Sequence, residues 1–430
     1  MQVSIESVEG LQRRMTVSLP AENLNNQVTQ RIKDTAKRVR IDGFRPGKVP
    51  VSVVKQRYGQ GIKSEVMQET IQRSLGDALA QEKVNPAGMP QIDSVKEEND
   101  TIEFTAVYEI FPEIKLASFD GYEFDQQKLV ITDEDVDTML ESLQKQKATY
   151  EKAERAAKLT DQVTINFVGK IDGEAFENGS GNDSKLVLGS GQMIPGFEDG
   201  IIGMSAGEER TIDVTFPADY QSEELKGKAA QFDIIVTDVA EQKLPELDKA
   251  FFKDFGAKSI KLNTFKEEVK TNMKREAAGS IKTKLKNAVI AKLMADNSVD
   301  APSALTQDEI GRLKQEAVQQ FGQGTKIDPS MLPDDMFKEQ ASNRVQIGLL
   351  MNEVIKVNKL EATDEAVKAY LTEMAAVYED PASVVDFYYN NPQQLNQVKA
   401  LLLEEAAIKV VTDASKLNNV DVTYFEAIAK

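Results

Sequence analysis

The sequence predicts an α+β chain of several domains: mixed strands and helices first, a small β-rich stretch next, and a helical C-terminal region. Three observations carry this. Runs near the N-terminus alternate apolar and polar residues in the two-residue period of strands, and one near 105 does so again. Ten glycines crowd residues 169–207 between short β-branched runs. From about 246 onward, apolar residues recur at helical spacing. At 430 residues the chain also exceeds the size at which a single core usually stops growing.

The elements follow in order. Val3-Ser4-Ile5-Glu6-Ser7-Val8 and Arg14-Met15-Thr16-Val17-Ser18-Leu19 read as strands. Ala21 to Arg40 reads as a helix with Leu24, Val28 and Ile32 on one stripe, and Ile41 to Pro50 as a loop. Val51 to Lys83 is helical again, with an interruption expected near Gly59-Gln60-Gly61. Ile102 to Glu109 returns to the sheet. Thr132-Asp133-Glu134-Asp135 resembles a capping box, ahead of a stripe of Val136, Leu140 and Leu143. Val163-Thr164-Ile165-Asn166-Phe167-Val168 and Phe232-Asp233-Ile234-Ile235-Val236 flank the glycines as strands. Beyond 246 the chain is expected to be almost wholly helical. Its stripes include Leu349, Leu350, Val354 and Val357, then Ala400, Leu403, Ala407 and Val411. Thr363-Asp364-Glu365 repeats the helix start, and Gly322-Gln323-Gly324 and Asp328-Pro329 break the helices into arms. No fixed-period repeat is present, which argues against a solenoid.

Composition limits the chemistry. The chain has no Cys and no His, so it offers no thiol nucleophile, no imidazole base and no ordinary zinc site. The expectation is a protein with no metal and no cofactor. No stretch approaches the ~20 apolar residues that span a bilayer, and the N-terminus lacks the pattern of a secretory signal. A soluble, cytoplasmic protein with no membrane partner is expected. The net charge is −18, yet ten basic residues between Arg31 and Lys63 face only Asp34 and Asp42. That island of +8 leaves −26 on the remainder. It suggests one anionic docking surface on a chain that otherwise repels nucleic acid.

Gly43-Phe44-Arg45-Pro46-Gly47-Lys48-Val49-Pro50 carries the sharpest local signal. Two glycines and two prolines fix a tight exposed loop between two basic helices. A Phe at its tip is costly to leave in water, and Arg45 and Lys48 beside it supply charge. The residues alone leave two readings open: a docking hot spot, or a turn whose Phe folds back onto its own domain. The loop resembles the signature by which bacterial trigger factors dock beside the ribosome's exit tunnel. The resemblance implies that Gly43, Phe44, Arg45, Pro46, Gly47 and Lys48 form the ribosome-binding site, on protein and RNA of the large subunit. Some family members have a basic residue where this chain has Pro46, which removes one charge and stiffens the loop.

The stretch at 155–242 resembles an FKBP-type peptidyl-prolyl isomerase. Asn166-Phe167-Val168-Gly169 and Asp172-Gly173 followed by Phe176-Glu177 match the family's pocket walls. Met193-Ile194-Pro195-Gly196-Phe197 matches the pocket floor and its backbone donor, and Pro217-Ala218-Asp219-Tyr220 and Phe232-Asp233 complete the order. The resemblance implies a catalytic set of Phe167, Phe176, Glu177, Met193, Ile194, Phe197, Tyr220 and Phe232. Phe167 and Phe197 stand where many relatives have Tyr and Trp. Gln221 to Lys228 replaces a longer loop, so one upper-wall contact has no assigned residue. The physics suits the set. Rotation about X–Pro crosses ~18–20 kcal/mol because the amide has double-bond character. The twisted amide is less dipolar than the planar one, so a dry apolar pocket favours it relative to the ground state. No base, nucleophile or covalent intermediate is required.

Across its length the chain is similar to trigger factors, in order. The resemblance implies an α+β multidomain chain with four parts. These are an N-terminal α+β ribosome-docking domain (1–112) and a connector that is the first part of the helical body (113–154). An FKBP-like β-rich isomerase domain (155–242) and an all-α C-terminal chaperone body with arms (243–430) follow. Met331, Met336, Met351 and Met374, with polar Gln315, Gln319, Gln320, Gln340, Asn343 and Gln346 among the stripes, suit a cradle of shifting contacts. The partners implied are the large subunit near its exit tunnel and nascent and unfolded polypeptides, with a homodimer of the free protein left open. Two rivals stay in view: a free FKBP-type isomerase whose helices dimerise or bind a dedicated partner, and a nucleic-acid-binding protein using the basic island.

Overall fold

The computed structural model describes the chain except residues 43, 45–47, 99, 221, 223, 258–260, 322–327, 377, 379 and 430. The N-terminal strands β1 (Gln2–Ser7) and β2 (Gln12–Pro20) pair antiparallel, with Ile5 opposite Met15. Helix α1 (Ala21–Arg38) starts at Pro20, whose fixed φ and missing N–H suit a helix entry. Helix α2 (Val51–Gln81) runs without the break expected at Gly59 and Gly61. Each glycine costs a helix about 1 kcal/mol, but Val54, Ile62, Val66 and Ile71 are buried along α2, and tertiary packing outweighs that cost. Strands β3 (Gln91–Glu98) and β4 (Thr101–Glu109) complete a sheet of order β1-β2-β4-β3. The two-residue period places Met15 and Val17 of β2 and Ile102, Phe104, Ala106 and Tyr108 of β4 in the core. Met15, Val17, Phe104 and Tyr108 pack with Ile71 and Ala78 of α2.

Strand β5 (Glu123–Leu129) precedes α3 (Asp133–Gln146). The capping box read at Thr132 is present: its hydroxyl accepts from the Asp135 N–H, and the Asp135 carboxylate accepts from the Thr132 N–H. The glycine-rich stretch builds β6 (Thr149–Lys152), β7 (Gln162–Ile171), β8 (Glu174–Val187), the short helix α4 (Phe197–Ile201), β9 (Glu209–Thr215) and β10 (Ala229–Lys243). Its antiparallel sheet runs β6-β10-β7-β8, with β9 also on β10. Helices α5 (Lys249–Asp254), α6 (Leu262–Asp296), α7 (Ser303–Phe321), α8 (Asp335–Val357), α9 (Asp364–Ala375), α10 (Pro381–Asn390) and α11 (Pro392–Asp413) follow. Strand β11 (Lys416–Val422) then pairs with β5, and α12 (Tyr424–Ile428) comes last. That strand is an exception within a region that is otherwise almost wholly helical, as expected. Its partner lies almost three hundred residues away in sequence, a pairing local periodicity cannot announce.

The chain divides into two compact units. One comprises Met1–Asp125 with Lys284–Asn418, the other Gln126–Thr283 with Asn419–Lys430. In the first, Glu109 at the end of β4 accepts from the Ser303 hydroxyl (2.9 Å) and the Ala304 N–H (3.1 Å) at the start of α7. Its helical part closes over Tyr122, Phe124, Val289, Leu293, Met351, Val354, Ala407 and Val411. Met351 is therefore core, and Met374 packs against the cluster of Val367, Leu371 and Val398. Of the four methionines expected to offer adaptable surface, only Met331 and Met336 are exposed, at 78% and 72%. In the second unit, α3, α5, the start of α6 and α12 enclose Val136, Leu140, Phe251, Phe252, Phe265 and Met273, with Tyr424 donating to Glu276 (2.7 Å).

Phe104, fully buried between the first sheet and α2, is expected to anchor that domain. Phe104→Ala should destabilise it by about 3–5 kcal/mol in urea unfolding, and a loss under ~1 kcal/mol would contradict this packing.

Candidate active site

Two cross-strand pairs set the geometry of the β-rich domain. Phe167 on β7 stands opposite Gly181 on β8, and Phe232 on β10 opposite Gly169 on β7. Each ring lies over its glycine. A Cβ at Gly181 would sit 2.6 Å from Phe167 Cε1, and one at Gly169 would sit 2.6 Å from Phe176 and 2.7 Å from Phe232. A Cβ at Gly179 would sit 2.5 Å from Phe176. The glycines are thus the space into which three rings lean, which is the packing reason for them in a strand. Gly196, at φ +88°, turns the chain into α4 and sets Phe197 at its first position.

The rings meet edge to face. Phe197 lies 5.7 Å from Phe167 and 5.1 Å from Phe232, with interplanar angles of 81° and 85°. Phe176 lies 6.0 Å from Phe232 at 86°. These are the favoured arrangements for rings with negative faces and positive edges. Phe197 and Phe232 are buried, and the others remain half-buried around an open cavity of about 700 Å³. All eight residues expected in the catalytic set line that cavity: Phe167, Phe176, Glu177, Met193, Ile194, Phe197, Tyr220 and Phe232.

Three contributors that were not read from the sequence stand out. Phe216 lines the cavity and packs 5.9 Å from Phe176 and 4.8 Å from Tyr220. The alternation Ile212, Val214, Phe216 on and after β9 was the signal that marked it as inward-facing. Leu225, within the stretch where the upper wall had no assigned residue, lines the cavity too. Glu198 is the third. Its buried carboxylate accepts from the backbone N–H groups of Gly189 (2.7 Å), Gly191 (3.2 Å), Gln192 (3.0 Å) and Met193 (3.3 Å), and from the Ser190 hydroxyl (3.2 Å). Burial works to raise its pKa, but the hydrogen bonds from Gly191, Met193, Gly189 and Ser190 outweigh burial and hold it below the usual carboxylate range. Beside the sheet, Asp233 accepts from Lys170 (2.7 Å) and Thr211 (2.6 Å), and these bonds, Lys170's first, lower its pKa.

The same unit holds a second cavity of about 500 Å³, lined by Met139, Leu143, Phe255, Phe265, Met273 and Tyr424 among others. None of the expected site residues lies there.

At the N-terminal loop, Phe44 is 39% exposed and its N–H donates to Ile41 O, while Lys48 is exposed. Gly43, Arg45, Pro46 and Gly47 lie outside the described residues. Part of the basic island is internally paired: Arg31 with Glu65 and Glu69, Lys37 with Asp34, and Lys63 with Glu97. Among the described residues, no helix is long and apolar enough to cross a membrane.

The β-rich domain and its aromatic cavity define a class, and residues 153–237 match the family model of the FKBP-type peptidyl-prolyl cis-trans isomerase. Residues 1–143 match the model of the bacterial trigger factor protein, and residues 261–413 that of its C-terminus. Trigger factors of Pseudomonas savastanoi pv. phaseolicola and Teredinibacter turnerae are 46% and 47% identical to the chain, covering 100% of it and 98% of their own length. A solved trigger factor chaperone structure shares the fold at a TM-score of 0.50 and 17% identity, covering 96% of this chain and 99% of that one. The chain belongs to the trigger factor family: it is a chaperone that carries an FKBP-type peptidyl-prolyl isomerase domain.

Gly181→Ala should displace the Phe167 ring, because a Cβ 2.6 Å from a ring carbon cannot be accommodated without a shift. Turnover of a prolyl peptide should fall at least about tenfold while the domain still unfolds cooperatively; unchanged turnover would mean the ring position is immaterial. Because the folded pKa of Glu198 is depressed, its contribution to stability is present at neutral pH and fades as pH falls through that lowered value. Thermal melts should therefore show a wild-type loss in acid that Glu198→Gln lacks, and parallel melting curves would refute it.

Proposed function

We propose that the aromatic cavity is where X–Pro bonds isomerise, with Phe167, Phe176, Glu177, Met193, Ile194, Phe197, Tyr220 and Phe232 as its catalytic set. The observation that carries this is that all eight line one cavity. A planar amide entering it exchanges water for ring faces and edges, which destabilises the more dipolar planar form relative to the twisted one. Among the described residues the Ile194 N–H has no partner within the chain, which suits it to hold a substrate carbonyl. Each ~1.4 kcal/mol of differential stabilisation is worth tenfold in rate. The test is Phe197→Ala, which removes the floor: kcat/KM on a prolyl peptide should fall at least about tenfold. Unchanged activity would put the chemistry elsewhere.

In the same reading the protein works in the cytoplasm, docked on the large ribosomal subunit near the exit tunnel through the loop at 43–48. There it shields apolar segments of nascent and unfolded polypeptides. Residues 1–112 dock, 113–154 and 243–430 form the helical body that holds clients, and 155–242 isomerise. An exposed Phe44 and an exposed Lys48 support the docking role. Exposed Met331 and Met336, and Phe387 and Tyr389 on α10, support a body that offers scattered apolar contacts. Ribosome co-sedimentation of a Phe44→Ala, Arg45→Ala double variant should lose most of the bound fraction, and full retention would remove the loop from the dock.

A further inference from the structure

We propose that Glu198 is the positioning residue of the isomerase cavity: its carboxylate clamps the 189–193 loop so that the Ile194 N–H is presented at a fixed place to substrate. The inference rests on the reading of this cavity as the isomerase site.

The geometry is unusually one-sided. A single buried carboxylate takes four successive or near-successive backbone N–H groups and one hydroxyl, all from the same five-residue loop. Oε2 receives Gly189 and Gly191, and Oε1 receives Ser190, Gln192 and Met193. Both oxygens are therefore used as acceptors. Gly189 and Gly191 have positive φ (+88° and +69°), so the loop bends in a way that turns its amides toward one point. Glu198 follows Phe197 directly at the start of α4. The same rigid turn thus sets the cavity floor with one side chain and fixes the loop above it with the next. Met193 is the last amide held, and Ile194 is the first left without a partner among the described residues. Buried charge held by several N–H donors is costly to disrupt, which makes the clamp stiff.

Glu198→Gln keeps the shape but replaces one acceptor oxygen with an NH2 that must face N–H donors. A donor that binds the substrate carbonyl equally in planar and twisted states governs KM, not kcat. In the folded variant, KM for a prolyl peptide should rise about tenfold with kcat nearly kept. In spectra of the deuterated full-length protein, the Ile194 amide resonance should move while that of Ile165 in the sheet stays. A merely structural role would instead lower only the active fraction, reducing apparent kcat and leaving KM alone; that result overturns the proposal. A folded variant with unchanged KM and kcat overturns it too. Should the variant not fold, amide exchange in the wild type decides: slow exchange at Gly189, Gly191, Gln192 and Met193 supports the clamp, and exchange at free-loop rates refutes it. Phe197→Ala separates the two levels, since a loss there with unchanged Glu198→Gln kinetics sinks the clamp alone, whereas no loss there removes the cavity assignment beneath it.

Discussion

The isomerase domain depends on one constraint: phenylalanine rings must lean over strand positions that carry no side chain. Phe167 over Gly181, Phe232 over Gly169, and Phe176 against Gly179 leave the backbone continuous while the rings turn toward one another. Edge-to-face contacts from 5.1 to 6.0 Å then fix the angle of each wall. An ordinary packed core would fill the centre. Here the centre stays open because the rings are spent on each other and on the glycines beneath them.

That architecture explains how a chain without His or Cys can be an enzyme. The barrier to X–Pro rotation is electronic, and removing water from the twisting amide lowers it without any proton transfer. What the protein must supply is shape, dryness and a held carbonyl. On the proposed reading, the rings supply the first two, and the loop gathered around Glu198 governs the third. The remainder of the molecule has different physical demands. Its helical body closes small separate cores, such as that of Val289, Leu293, Met351 and Val354, and leaves apolar side chains such as Met331 and Phe387 in water. Many small cores with exposed apolar side chains suit brief contact with varied chains better than one deep pocket does.

Much of this was legible in the residues, for particular reasons. The alternation in β2 and β4 and the capping box at Thr132 are local signals, and the structure carries them where they were read. The ring residues were found because an ordered set of motifs over about 70 residues resembles one family. What escaped was non-local. Glycines in α2 looked like a break because only packing against α1 and the sheet shows that the helix continues. Strand β11 has no strong period of its own and exists through its pairing with β5. Met351 looked like adaptable surface because a methionine reads the same whether it is core or exposed. Glu198 drew no reading from the sequence; only the folded loop at 189–193 reveals that its carboxylate is turned back to gather amides.

The most direct measurement is the placement of a bound prolyl peptide by intermolecular nuclear Overhauser effects in the full-length protein. The cavity account predicts contacts from the proline ring protons to the rings of Phe197 and Phe232. Contacts confined to Phe265 and Met273, in the second cavity described for the same unit, with none to those two rings, would contradict it.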